Sequence, residues 1–85
     1  MLEIKVVGTG CPNCIRLENM CKEVIRELNI DANLVKVSDL NEITALGIFL
    51  TPALIINNEV KISGKLPTPH TLRHWIADAA GIQIS

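Results

Sequence analysis

The sequence predicts an α/β domain built in the order βαβαββα, a four-stranded mixed sheet with helices on both faces. Three observations lead there. Two early apolar stretches alternate with polar residues as strands do, a long segment between them repeats with helical period, and the chain closes with two neighbouring strand patterns followed by a helix. With 85 residues the chain has room for one hydrophobic core, so a single domain spanning 1–85 is expected.

"LEIKVV" (Leu2 to Val7) alternates up to Val6 and Val7, which predicts a strand with one strongly buried face. "GTG" ends it, with Gly8 and Gly10 both read as residues that let the chain turn sharply toward Cys11. Pro12 suits a first helical position. Stepping about 100° per residue from Cys14 brings Leu17, Met20, Cys21, Val24, Ile25 and Leu28 into one arc of roughly 140°. An amphipathic helix from Pro12 to Leu28 follows, ended by "NIDAN". "NLVKVS" (Asn33 to Ser38) is the second strand. Asp39 caps a short helix, "LNEITALG", whose Leu40, Ile43 and Leu46 recur every three residues. "ALII", the turn "NN" and "EVKIS" form a hairpin lacking the favoured glycine. Thr68 and Pro69 open the last helix, in which Leu72, Trp75, Ile76 and Ala79 share a face, and the first βαβ unit makes a parallel pair.

Composition excludes several classes of function. A net charge of −1 with no basic run argues against nucleic acid as a partner. One Phe, one Trp and no Tyr leave no platform for stacking bases. The longest apolar stretch, Ala45 to Ile56, is interrupted by Gly47, Thr51 and Pro52 and falls short of the roughly 18 residues of a membrane span, so no membrane association is expected. Nothing after Met1 has the form of a leader, which points to a cytoplasmic location. In that reducing compartment a cysteine pair is more often a metal site or a transient catalytic disulfide than a structural bridge.

The pair in question is Cys11 and Cys14, in "GTGCPNC". At a helix N-terminus, unpaired backbone N–H groups stabilise a thiolate and can bring a cysteine pKa from about 8.5 into the range of roughly 3.5 to 7.5. Cys11 has that place and is assigned the attack on a substrate disulfide. Cys14, one turn further on and at the head of the apolar arc, is the buried partner that resolves the mixed disulfide. Pro12 stiffens the turn between them. Cys21 lies seven residues beyond Cys14, about 10.5 Å along the helix, which is outside bridging distance; it reads as a core residue. His70 and His74 stand four apart on the last helix, but no ligand close in sequence completes a metal site, so they read as surface residues.

Taken together, "GCPNC" after the first strand, "TP" before the third strand and "SGKLP" after the fourth make the chain resemble the thioredoxin-like superfamily over its full length, and in particular its small, glutaredoxin-sized redox-active-disulfide proteins. The resemblance implies a minimal thioredoxin fold and thiol–disulfide oxidoreductase activity. It also implies that Pro52 is cis and lies against the disulfide, while Thr51 offers backbone hydrogen bonds to an extended substrate. Gly64 joins Thr51, Pro52 and Pro12 as a substrate-groove candidate, with simple strand termination as its other reading. No cofactor beyond the Cys11–Cys14 disulfide is needed. The partners are a protein disulfide and a dithiol reductase, either thioredoxin-reductase-like or glutathione-based, and the protein is expected to be a monomer.

The sequence departs from the family in places. Gly10 stands where many thioredoxins have tryptophan, "PN" matches neither the usual thioredoxin nor the usual glutaredoxin dipeptide, and the buried acid that assists proton transfer in many thioredoxins has no obvious counterpart. The rival reading is a soft-metal module for Cu(I) or Zn(II). Heavy-metal-associated domains also place Cys-x-x-Cys after a first strand, and two thiolates suit such ions. Those domains follow their first helix with two strands, a helix and a strand, and the tail "IQIS" could supply that last strand. The state of Asp39 to Gly47, helix or strand, separates the two.

Overall fold

A computed structural model describes residues 2–82. Its elements are β1 (Leu2–Val7), α1 (Pro12–Leu28), β2 (Ala32–Val37), α2 (Leu40–Ala45), β3 (Ala53–Ile56), β4 (Glu59–Ser63) and α3 (Pro69–Ala79). The strands lie in the order β2-β1-β3-β4. β1 runs parallel to β2, with Ile4 opposite Leu34, and antiparallel to β3, with Val7 opposite Ala53. β3 and β4 form the antiparallel hairpin. The Asp39–Gly47 segment contains a helix, and the described chain closes on α3 rather than a strand, so the element order is not that of the heavy-metal-associated domains. Most of the "IQIS" tail lies outside the described residues.

Alternation along β1 divides the core in two. Leu2, Ile4 and Val6 face α1 and α3, where they pack with Leu17, Cys21, Val24, Leu54, Ile56, Leu72 and Ile76. Val7 joins Val37, Ile43, Ile48, Ala53 and Ile55 under α2 on the other face. All four residues of β3 are buried because both faces of that strand are covered.

Local chemistry sets the boundaries. Pro12 and Pro69 each stand in the first turn of a helix, where a missing N–H leaves no hydrogen bond unmade. Thr68 caps α3 by accepting from the Thr71 N–H, and Asp39 caps α2 by accepting from the Asn41 N–H. Asn29 ends α1 in the left-handed region at φ 51°. The hairpin turn uses asparagine twice at positive φ, 49° at Asn57 and 68° at Asn58. Asn57 is held there by β1: its Oδ1 accepts from the Glu3 N–H at 3.0 Å, and its own N–H donates to the Glu3 carbonyl at 2.8 Å. That anchorage compensates for the glycine the turn lacks.

The three-residue repeat of α2 is realised only at its centre. Ile43 is buried, whereas Leu40 is 65% exposed and Leu46 41% exposed. The helix is only six residues long, and positions three apart rotate about 60° away from one another per step. Ile48, after the helix, covers the sheet in their place.

These two environments give opposite expectations for leucine truncation. Leu72→Ala, at a fully buried site, should lower stability by about 2–5 kcal/mol in urea denaturation, and Leu40→Ala by no more than about 0.5 kcal/mol.

Candidate active site

The site forms where β1 runs out and α1 begins. Gly8 continues the sheet by donating its N–H to the Val37 carbonyl at 2.9 Å. Gly10 then turns the chain at φ 91°, a conformation side chains resist, and Cys11 becomes the N-cap of α1 in extended backbone. The Cys11 carbonyl accepts the first helical bond, from the Ile15 N–H at 3.1 Å. Its Sγ accepts from the Cys14 N–H at 3.3 Å. A sulfur so placed meets the positive end of the helix and one of its free donors, and both stabilise negative charge on it.

Cys11 and Cys14 are joined as a disulfide, with their Cα atoms 5.1 Å apart. Cys11 is half-buried and Cys14 buried, so Cys11 is the more accessible of the two. Pro12 and Asn13 lie exposed over the bridge. Cys21 is free and fully buried in the core between α1 and the sheet. Burial, with a smaller contribution from the Glu18 carboxylate, pushes its thiol up to about 12 from an ordinary value of 9.0.

The other candidates converge from β3 and β4. The Thr51–Pro52 peptide bond is cis; Thr51 is half-buried and Pro52 buried. The Pro52 carbonyl accepts from the Gly64 N–H at 2.9 Å, and the Ser63 hydroxyl donates to the Leu50 carbonyl at 2.8 Å. Gly64 sits at φ 87°, and a Cβ there would come within 3.0 Å of the Leu50 Cβ. Its place is therefore to fasten the end of β4 to the 50–52 segment.

Gly8 does not serve as the sharp turn its sequence context suggests. Its φ is not positive, so conformational freedom does not explain it. Space does: a Cβ at Gly8 would overlap Cys14 Sγ and lie 2.9 Å from Cys14 Cβ. The sequence offered no sign of this contact, nor of the Ser63–Leu50 bond, because each depends on how one element is laid against another. His70 and His74 are exposed on α3 with ring centroids 4.9 Å apart, edge to face.

The match to known proteins follows the same outline. Residues 2–77 match the model of a thioredoxin domain family. The chain belongs to the thioredoxin family. Among curated proteins it is similar to a thioredoxin of Methanocaldococcus jannaschii, 38% identical over 73 residues that cover 86% of this chain and 84% of that protein. It is also similar to a thioredoxin of Methanothermobacter thermautotrophicus, 34% identical over 73 residues, covering 86% of this chain and 95% of the relative. With the paired Cys11 and Cys14 at the helix start, this membership makes the chain a thiol–disulfide oxidoreductase. Among the described residues, no charged side chain is buried.

Two measurements separate Cys21 from the pair. Under native conditions at pH 8, reduction followed by alkylation and intact mass should add two groups, at Cys11 and Cys14, with a third only after denaturation. Cys21 also gives the fold a pH dependence. Its folded-state pKa is raised, so its contribution is fully present below pH 9.0 and is lost as pH climbs toward about 12. Relative to Cys21→Ala, the wild-type protein should lose about 1.4 kcal/mol of stability per pH unit within that window in chemical denaturation.

Proposed function

We propose that the chain reduces disulfides of protein substrates as a single thioredoxin-like domain, with Cys11 as nucleophile and Cys14 as resolving thiol. One observation carries the assignment: Cys11 Sγ is the sulfur at the helix cap, accepting the Cys14 N–H, and is also the less buried of the two. In the reduced protein, the Cys11 thiolate attacks one sulfur of the substrate disulfide. A bond from Cys11 to the substrate forms, and the other substrate sulfur leaves as a thiolate. Cys14, as a thiolate, then attacks Cys11 Sγ, and the second substrate sulfur departs with its electron pair. Two electrons have passed to the substrate, whose two thiolates take protons from water. A dithiol reductase returns the Cys11–Cys14 disulfide to the dithiol, and no further cofactor takes part.

The surroundings support a polypeptide as the substrate. Phe49 is 80% exposed and Leu50 64% exposed, directly before Thr51 and Pro52, and the exposed Ile15 lies one turn after Cys11. Apolar residues grouped at a reacting disulfide suit a protein segment better than a small charged disulfide such as oxidised glutathione. Thr51 and Pro52 form the wall along which that segment lies, with its backbone extended beside Thr51; Gly64 holds the wall in place, and Pro12 bounds the other side. The same apolar rim favours a protein reductase over glutathione. A buried free thiol beside a reversible pair fits a reducing compartment, so the reading includes a cytoplasmic, monomeric protein.

Cys11→Ser should abolish reduction of a protein disulfide such as that of insulin, and Cys14→Ser should trap mixed disulfides visible by intact mass. Phe49→Asp should raise KM for the protein disulfide at least tenfold while changing the rate with a small aromatic disulfide less than twofold. Activity in Cys11→Ser would refute the assignment of the nucleophile, and an unchanged KM in Phe49→Asp would refute the apolar rim.

A further inference from the structure

Gly8 is buried, bonded through its N–H to Val37, and free of any left-handed backbone requirement. The space where its side chain would stand is filled from the helix side. A Cβ there would overlap Cys14 Sγ, would lie 2.9 Å from Cys14 Cβ and would reach Thr51 Cβ at 3.9 Å. The sulfur of Cys14 therefore occupies a recess walled by the end of β1 and by Thr51. We infer that Gly8 is a positioning residue for the redox pair, its missing side chain being the recess into which the Cys14 sulfur must settle for the bridge to Cys11 to close.

The two redox states use this recess unequally. In the dithiol, Cys14 Sγ can rotate about χ1 to another staggered position. In the disulfide it is tethered to Cys11 Sγ and cannot. A methyl group at position 8 crowds Cys14 Cβ in both states but meets the sulfur unavoidably only in the oxidised one. The methyl group therefore moves the equilibrium toward the dithiol. It also slows the resolving step, in which Cys14 attacks Cys11 Sγ, the Cys11–substrate bond breaks and the substrate sulfur leaves with the electron pair. A longer-lived mixed disulfide follows. The inference rests on Cys11 and Cys14 being the working couple, and the test reads that couple without a substrate.

Wild-type protein and Gly8→Ala are equilibrated in a series of reduced and oxidised glutathione mixtures, quenched by alkylation and read by intact mass. In wild type, Cys11 and Cys14 should titrate together as a two-electron couple; if they do not, the proposed function fails and Gly8 is not at issue. Given that couple, Gly8→Ala should shift the midpoint at least tenfold toward the dithiol, about 30 mV to more positive potential. An unchanged midpoint overturns the inference. A second comparison covers a variant that folds poorly. Gly8→Ala should lower the Tm of the oxidised protein by at least twice as much as it lowers that of Cys14→Ala, which has no sulfur at that place. Equal losses in the two backgrounds, or a Gly8→Ala/Cys14→Ala protein that does not fold, would make Gly8 a packing residue only and overturn the inference.

Discussion

The chemistry of this protein depends on how one helix is laid on its sheet. Leu17, Cys21 and Val24 of α1 are buried against Ile4 and Val6 of β1 and against Leu72 and Ile76 of α3. That contact fixes the axis of α1, and the connection of only four residues from Val7 to Pro12 then fixes where the helix begins. Cys11 is consequently placed by the core rather than by a flexible loop. The sulfur that meets the helix's free N–H groups, and the sulfur behind it, are set to the geometry of a bridge before any partner arrives.

Much of this was legible along the chain because the signals were local. Pro12 and Pro69, the capping residues Asp39 and Thr68, and the 3.6-residue period of Cys14 to Leu28 each act over a single turn, and each sits where the pattern places it. β2 lies one residue earlier than its alternation suggested, Ala32–Val37, because its start is set by pairing Leu2 with Ala32 rather than by its own composition. The short α2 misled for a related reason: a repeat of three apolar residues states which could be buried, not how much sheet there is to cover them. Only Ile43 found a place. The site was legible at Cys11 and Cys14, which the structure joins as a disulfide at the start of α1. It was not legible at Gly8, where the decisive neighbour is a sulfur on another element.

Proton management differs here from what a buried acid would provide. With no buried charged side chain among the described residues, no carboxylate sits beneath Cys14 to take its proton. Cys14 Sγ fills the space a Gly8 side chain would take at the end of β1, and Thr51 borders that space. Cys21 shows what burial without such help does to a thiol: it stays protonated and inert up to about pH 12. The contrast between two buried cysteines on one helix is therefore one of position. Cys14 lies within one turn of the free N–H groups and against a sulfur that can accept its electrons, and Cys21 lies two turns deeper with neither.

Exposed apolar surface gathers on Ile15 of α1 and on the segment between β2 and β3. Among the described residues, seven large apolar side chains are well exposed, and five of them are Ile15, Leu40, Leu46, Phe49 and Leu50. The segment carrying the last four leaves the sheet after Val37 and returns at Ala53, which pairs with Val7 beside the start of α1. The sheet edges, by contrast, are guarded: Lys36 stands exposed on β2, and β4 carries Glu59, Lys61 and a register shift opposite Leu54 and Ile55. Strand addition is thus discouraged at both sides of the sheet. Burying a side chain such as Phe49 or Leu50 is worth about 1.5–3 kcal/mol, and within this chain that free energy goes unrealised. In the proposed reaction, a partner whose disulfide reaches Cys11 covers these residues in the act of reacting, so the same exposure that weakens the free protein selects where it is approached.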